Sequence, residues 1–350
     1  MRFDESRREF IKKSIGIGLG VYGLTRLEYP IVGISEARSY ESRVVVARDK
    51  GVIDSNFKVD FGVVRRLLDD AITKLAGTGS ASEAWKRFFR SDDIVGIKVN
   101  TLSGKWMSSH PELVAAIVEG LRSAGVKDII IWDRTDQGLE EAGFKISKKR
   151  TNDPRCFGTS PDFGYEKDVK IYGSIASCLS RIVSYCTAFV NVPVLKHHTM
   201  AGVTISLKNW FGAINNPNKY HFDGSGKMVA FCNYVPDLNS MIFSALGKKQ
   251  TLIVCDGIMS QYDIGPGYRP SKAWKYSGLL VSTDPVALDR TGTQIIEKKR
   301  QDAGLKSLSD PSVNRKPEYI SIAADRFHRL GTDDPSKIEL ISTGNLAPEI

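Results

Sequence analysis

The sequence lacks the cysteine patterns of iron-sulfur and zinc centres. Its 350 residues include five cysteines, and none of them has the paired spacing of a cluster or zinc ligand run. The odd number leaves at least one thiol outside any intramolecular disulfide. The five are Cys156, Cys178, Cys186, Cys232 and Cys255. We therefore expect no intrinsic iron-sulfur cluster.

Other signatures are also missing. No helical His-Glu-x-x-His pattern occurs, and no basic-aromatic nucleic-acid motif accompanies the net charge of +9. The excess of positive charge still favours anionic partners, and we expect a small anionic ligand rather than nucleic acid. With 41% apolar and 25% charged residues, the composition is that of a globular protein with a substantial core.

The amino terminus resembles a twin-arginine export signal. Arg7 and Arg8 precede a glycine-rich, mildly apolar stretch at residues 14–24 that is too short to span a membrane. Small residues at Ser35 and Ala37 predict cleavage after Ala37. The implied partner is the twin-arginine translocase, which exports folded and often cofactor-loaded proteins to the periplasm or another extracytoplasmic compartment. The alternative is an uncleaved amphipathic helix, which the four glycines between residues 16 and 23 would weaken.

Beyond residue 38, strand-like apolar runs alternate with helical periodicity. Strands are predicted at residues 44–47, 94–100, 129–132, 252–255, 279–281 and 337–341, and helices at 61–75, 81–89, 109–125, 179–185, 236–246, 285–299 and 320–330. This alternation predicts an α/β domain with a mostly parallel sheet flanked by helices. Residues 145–170 show no period and are either a loop insertion or the boundary between two lobes.

The most informative stretch is residues 186–221, which holds three of the five histidines. An apolar run at 189–195 leads directly into Lys196, His197 and His198, and His221 follows later. This pattern predicts a buried strand that delivers titratable groups to its carboxyl end, where open α/β sheets bind ligands. Adjacent histidines on a strand point to opposite faces, so at most one of His197 and His198 would face a given pocket. Pro193 predicts that the strand is short or bulged.

Polar residues also end other predicted strands. Asn100, Asp133 and Asp256 each follow an apolar run, so parallel strands would bring them to the edge that holds Lys196. Asp284 follows another run, but its position before Pro285 favours a helix cap. Lys98 lies inside an otherwise apolar strand, and a buried lysine needs a partner, for which an anionic ligand would serve.

Lys208 and Asn209 leave two interpretations open. They precede Trp210, Phe211 and Gly212, so they either form an ordinary turn packed by aromatic rings or present an ammonium and an amide to the same pocket.

Five segments in this order resemble the family called domain of unknown function 362. They are residues 95–100 (Val-Gly-Ile-Lys-Val-Asn), 192–198 (Val-Pro-Val-Leu-Lys-His-His), 204–209 (Thr-Ile-Ser-Leu-Lys-Asn) with Gly212 and His221, 256–257 (Asp-Gly) and 283–289 (Thr-Asp-Pro-Val-Ala-Leu-Asp). Many members carry a ferredoxin-like cysteine segment that this chain lacks. A more distant analogy is with lactate racemase, an α/β enzyme with a nickel-containing organic cofactor among Lys and His residues.

Two functional hypotheses follow. The first is an exported enzyme, redox or isomerising, that uses a metal or metal-organic cofactor on a small anionic substrate. The second is a non-catalytic exported protein that binds such an anion or assists a redox partner. Predicted catalytic residues are Lys196, His197, His198 and Lys208; predicted binding residues are Lys98, Asn100, Asp133, Asn209 and Asp256; predicted metal ligands are His197, His198 and His221.

Overall fold

The computed structural model describes residues 41–161, 163–221 and 233–350. The predicted export signal lies outside the described residues. One compact unit contains all the described residues, including those on both sides of the segment 145–170. Within this part of the chain, no helix is both long and apolar enough to cross a bilayer.

Strands and helices alternate along the chain. The strands are β1 (Ser42–Arg48), β2 (Ile94–Val99), β3 (Asp128–Trp132), β4 (Arg155–Cys156), β5 (Lys170–Tyr172), β6 (Ile175–Ser177), β7 (Ala188–Val192), β8 (Val194–His198), β9 (Gly202–Thr204), β10 (Lys249–Gln261), β11 (Ala273–Trp274), β12 (Gly278–Ser282) and β13 (Ile338–Gly344). The α-helices are α1 (Phe61–Ala76), α2 (Ala81–Phe88), α3 (Pro111–Ser123), α4 (Asp136–Glu141), α5 (Arg181–Tyr185), α6 (Ser206–Asn209), α7 (Tyr234–Asn239), α8 (Pro285–Asp302) and α9 (Tyr319–Ala323).

The main sheet has the strand order β13-β1-β12-β10-β7-β2-β3-β4. All neighbouring pairs along this path are parallel except those that β12 makes with β1 and β10. Helices α1 to α3 pack on one face through one apolar cluster, and α5 to α9 pack on the other face through a second. The predicted α/β fold with a mostly parallel sheet is therefore confirmed.

Helix α1 shows how the local sequence produces this packing. Its buried side chains recur at helical spacing, from Val64 through Leu68 to Leu75, so they form one apolar face against the sheet. Asp60 caps its first turn by accepting a hydrogen bond from Val63 N, and Gly77 ends it with a left-handed φ of 64°. The predicted helix over residues 61–75 is confirmed.

The direction of β12 moves Asp284 away from the other polar strand ends. Because β12 is antiparallel to β10, its carboxyl end lies at the amino edge of the parallel strands. Asp284 instead caps α8, where its Oδ1 accepts hydrogen bonds from Val286 N and Ala287 N. The prediction that Asp284 caps a helix is therefore correct. Asp284 does not join the polar residues at the carboxyl edge of the parallel strands.

Several predicted boundaries are wrong. Strand β10 does not end at Asp256 but continues to Gln261, where it pairs with β8 and β11. Helix α3 begins at Pro111 with His110 in the N-cap position and without a side-chain capping bond, because the Ser109 hydroxyl is bonded to Val192 O (2.7 Å) and Asn100 N. Helix α9 stops at Ala323 rather than continuing to residue 330, since the Asp325 carboxylate binds the backbone N–H groups of the next turn.

Pro193 divides the predicted central strand into β7 and β8. Strand β7 lies between β2 and β10, whereas β8 continues along the distal half of β10 and pairs antiparallel with β9. Proline has no N–H for a sheet ladder, so the break occurs where the pairing partner changes. This break carries Lys196 and both histidines past the carboxyl ends of β2 and β3.

Candidate functional site

A cavity of about 690 Å³ opens at the carboxyl edge of β2, β3 and β7. Seven of the ten residues predicted for the site line it: Lys98, Asn100, Asp133, His198, Lys208, Asn209 and His221. Lys196, His197 and Asp256 are buried outside its lining. The convergence at the strand ends therefore occurs, although it does not include every predicted residue.

Lys98 and Asp133 form an ion pair in the cavity wall. Lys98 Nζ lies 2.7 Å from Asp133 Oδ1, and the two side chains are only 1% and 9% exposed. Asp133 Oδ2 accepts hydrogen bonds from the backbone N and hydroxyl of Thr101. A side chain at Gly212 would place its Cβ 2.7 Å from Asp133 Oδ1. Glycine is therefore required where the turn containing Gly212 packs against the Lys98–Asp133 ion pair.

Lys196 lies beneath the cavity and forms hydrogen bonds with residues of the loop that follows β2. Its Nζ donates to Asn100 Oδ1 (2.9 Å), Ser103 Oγ (3.2 Å) and Met107 O (3.0 Å). Burial lowers the pKa of Lys196 to about 7, with an opposing effect from the charge of Asp133. Three acceptors match the three N–H bonds of an ammonium, so the structure shows the contacts of the protonated form.

Lys208 is held in the cavity wall by a short helix. Asp289 accepts hydrogen bonds from the Ser206 hydroxyl and from the backbone N–H groups of Ser206 and Leu207, which fixes the start of α6. The ammonium lies 4.8 Å from the ring centre of Phe211. Burial lowers the pKa of Lys208 to about 7, so both of its protonation states occur near neutral pH.

The two adjacent histidines point to opposite sides of β8, as strand geometry predicts. His198 lines the cavity, and its ring centre lies 6.1 Å from that of His221. His197 lies outside the cavity lining, where its Nδ1 accepts a hydrogen bond from Gly265 N. Of the three predicted metal ligands, the structure brings together only His198 and His221. No group of three or more His, Cys, Asp or Glu side chains suited to a metal ion occurs in the described ranges.

The hydrogen bonds of the two cavity histidines define different roles for their rings. His198 Nδ1 accepts from Met200 N and Ala201 N, which places the proton of the neutral ring on Nε2. His221 Nδ1 lies 2.9 Å from Pro217 O and must donate to it, which leaves Nε2 as the basic nitrogen. Burial and then the charge of Lys208 keep the pKa of His198 well below its ordinary value and lower the pKa of His221.

Asp256 is bonded to His110, a histidine that was not predicted from the sequence to be functional. Its Oδ2 lies 2.8 Å from His110 Nδ1 and accepts a hydrogen bond from His110 N at 2.7 Å. Burial alone would lower the pKa of His110, but the charge and hydrogen bond of Asp256 outweigh it and raise that pKa. The one sequence feature that could have indicated His110 is its position at the end of the loop that follows β2.

The glycine-rich loop after β10 reaches the cavity. Pro266 is part of the lining, and its carbonyl accepts a hydrogen bond from Ser103 Oγ. A side chain at Gly265 would overlap the carbonyl of His197, so glycine is required where this loop crosses β8.

A family model described as "Domain of unknown function (DUF362)" matches residues 95–294, which is more than half of the chain. The chain belongs to this family. The matched region runs from β2 into α8 and contains every residue of the candidate site. Asp289, which fixes α6, is also within it. The DUF362 assignment agrees with the motifs found in the sequence.

Two solved structures are similar to this DUF362 chain. One is a protein from Thermotoga maritima, with 9% identity and a TM-score of 0.43; the alignment covers 69% of this chain and 59% of that one. The other is the lactate racemase apoprotein from Thermoanaerobacterium thermosaccharolyticum, with 11% identity and a TM-score of 0.41, covering 72% and 56%. This chain thus spans less than two thirds of either protein. No curated protein matches the sequence.

Proposed function

We propose that this DUF362 protein is an exported enzyme that binds a small substrate bearing an oxyanion and catalyses an isomerising reaction by proton transfer. The observation that carries the proposal is the position of Lys208, whose pKa is lowered to about 7, in one cavity with two neutral histidines. Groups that titrate near the working pH are effective proton donors and acceptors. The amide and ammonium groups around the cavity suit a carboxylate.

The proton inventory supports a redox-neutral reaction. His221 Nε2 accepts a proton from the carbon next to the substrate carboxylate, while the electron pair of the broken C–H bond stays on the substrate as an enolate. The N–H groups of Asn100 and His198 stabilise the enolate oxygen. The ammonium form of Lys208 gives a proton to the carbon, and the proton held by His221 then returns to Lys208 through solvent, so the protein regains its starting state and no oxidant or reductant is consumed.

No step of this reaction passes through a metal. Among the described residues, the cavity offers His198 and His221 beside the Lys208 ammonium, which is not a sufficient ligand set for a bare divalent cation. A metal-organic cofactor or a redox reaction would require a group that the protein acquires before export. Elemental analysis, mass spectrometry and a visible absorption spectrum of native protein test for it.

Anion binding is expected to stabilise the folded protein. Sulfate, phosphate or malonate should raise the melting temperature, because an anion offsets the cationic charge of the cavity. Lys208→Met deletes the ammonium but keeps most of its apolar stem, so it should lose most of this increase. Lys127→Met is the matched control, since Lys127 is exposed before β3 at the opposite edge of the sheet. An equal rise in melting temperature in both variants would show that Lys208 is not part of the anion site.

Isotope exchange separates an enzyme from a binding protein. Small carboxylic acids that raise the melting temperature should, in D₂O with the protein, gain deuterium at the carbon next to the carboxylate. His221→Gln should abolish the exchange while the ligand still stabilises the protein. Binding without any exchange would support the non-catalytic alternative.

The twin-arginine pattern supports export and gives a separate test. Replacing Arg7 and Arg8 together by lysine should leave a longer precursor in the cytoplasm, because the translocase receptor recognises the paired guanidinium groups. Immunoblots of periplasmic and cytoplasmic fractions measure the outcome. Normal export and cleavage of the double variant would refute the assignment.

A further inference from the structure

A continuous chain of side-chain amides runs from Lys196 into the protein interior. Asn100 Nδ2 donates to Asn209 Oδ1 (3.0 Å), Asn209 Nδ2 donates to Asn191 Oδ1 (2.7 Å), and Asn191 Nδ2 donates to Gln250 Oε1 (3.0 Å). Lys196 Nζ donates to Asn100 Oδ1 at the other end (2.9 Å). Every hydrogen bond in this chain therefore has the same direction.

The direction is fixed at both ends and in the middle. An ammonium can only donate, so Asn100 must present its oxygen to Lys196. The indole N–H of Trp210 can also only donate, and it binds Gln250 Oε1 at 2.7 Å. Asn191 Nδ2 donates to the backbone carbonyl of Ser206 as well. Turning any one amide around would place two donors or two acceptors against each other.

This orientation determines what Asn100 offers to a ligand. Its Oδ1 is bound to the Lys196 ammonium, and one N–H of Nδ2 is bound to Asn209. Asn100 lines the cavity and is only partly buried, and its second N–H has no hydrogen-bond partner within the described residues. A donor in this position matches an acceptor atom of the ligand and disfavours a cation or an N–H group.

We infer that Asn100 determines specificity by donating its remaining amide N–H to an oxyanion of the ligand, and that Lys196 is the positioning residue that holds Asn100 in this orientation. The inference rests on the proposed function, because it assumes that the cavity binds an anion. It assigns Lys196 a role different from the catalytic one predicted from the sequence: Lys196 acts through Asn100 and does not touch the ligand.

The test compares sulfate affinity in matched variants, since sulfate offers only acceptor atoms near neutral pH. Asn100→Asp keeps the shape and still pairs with Lys196, but it replaces the whole amide NH2 group with an oxygen, so both the N–H that faces the ligand and the N–H bound to Asn209 Oδ1 are lost. We expect sulfate binding to weaken at least tenfold. Asn152→Asp is the control. Asn152 is exposed near the start of β4, so this substitution adds the same charge far from the cavity. Equal affinity in Asn100→Asp and wild type would overturn the inference.

Two Lys196 variants test the positioning role. Gln at position 196 can still donate to Asn100 Oδ1, whereas Met cannot, so Lys196→Gln should retain more sulfate affinity than Lys196→Met. A purely structural role would lower the melting temperature of both variants and leave their sulfate affinities equal. That result would refute the positioning role.

The side-chain amide resonances of Asn100 give a direct readout in the wild-type protein. In ¹H–¹⁵N spectra they should shift as sulfate is added. Sulfate binding without such a shift would reject the inference and leave the proposed anion site intact. If wild-type protein binds neither sulfate, phosphate nor malonate, the proposed function and the inference both fail.

Discussion

Lys98→Met is expected to lower the free energy of unfolding by about 3–5 kcal/mol, the usual effect of removing one member of a buried ion pair. The variant keeps the apolar stem but leaves the Asp133 carboxylate buried without its ammonium. The hydrogen bonds from Thr101 remain, yet they do not neutralise the charge. Urea denaturation followed by circular dichroism measures the change.

The double variant Lys98→Met with Asp133→Asn shows whether the lost stability comes from the unpaired charge. Replacing both members removes both charges, so the double variant should be more stable than Lys98→Met alone. Lys127→Met again serves as the exposed control, with an expected change within about 0.5 kcal/mol. If Lys98→Met loses less than about 1 kcal/mol, or if the second substitution only adds to the loss, the ion pair does not stabilise this region.

The gathering of Lys98, Asn100 and Asp133 was predictable from the sequence. Each residue lies in or directly after an apolar run of strand length, and β2 and β3 are adjacent and parallel. The period of two residues along a strand fixes which side chains share a face, and the common direction of the strands fixes which ends meet. These two regularities are sufficient for this part of the site.

The separation of His197 from the cavity was predictable only in part. Alternation implies that His197 and His198 face opposite sides, but it does not say which of them faces the cavity. That choice depends on how β8 pairs with β10 after the break at Pro193. Pairing between segments distant in sequence leaves no local pattern from which this choice can be predicted.

The positions of His110 and Asp284 also depend on features that local sequence does not encode, namely the course of a loop and the direction of a strand. The contact of His110 with Asp256 depends on the course of the loop after β2, and no periodicity describes such a loop. Asp284 lies at the opposite edge because β12 is antiparallel, although its sequence context resembles that of the parallel strands. Local signals still placed Asp284 correctly as a helix cap, since capping depends on neighbouring residues alone.

Between pH 7 and about 8.5, the folded protein is expected to become more stable as the pH rises. Lys196 and Lys208 have their pKa values lowered to about 7 in the folded state, whereas a lysine in the unfolded chain has a pKa of about 10.4. Above pH 7 the unfolded chain therefore binds protons that the folded protein has released. Stability rises with pH wherever the unfolded state binds more protons.

The expected gain is at most about 1.4 kcal/mol per pH unit for each lysine, or on the order of 2 kcal/mol over this window. Because the pKa values of both lysines are lowered to about 7, each of them should contribute a share of the gain. Above about pH 8.5 the trend should weaken, because burial raises the pKa values of Cys156 and Cys186 to about 12 and ordinary thiols already ionise there.

Urea denaturation at several pH values between 7 and 8.5 tests this dependence in wild type and in Lys208→Met. The variant should lose the share of Lys208, roughly half of the pH-dependent gain, because methionine binds no proton in either state. Its unfolding free energy should vary less over the window than that of wild type, whereas Lys127→Met should follow wild type because Lys127 is exposed and far from the cavity. A wild-type stability that is flat or falls over this range would show that Lys208 keeps its proton in the folded protein. Lys208 would then be a fixed cation for anion binding and not an acid or base.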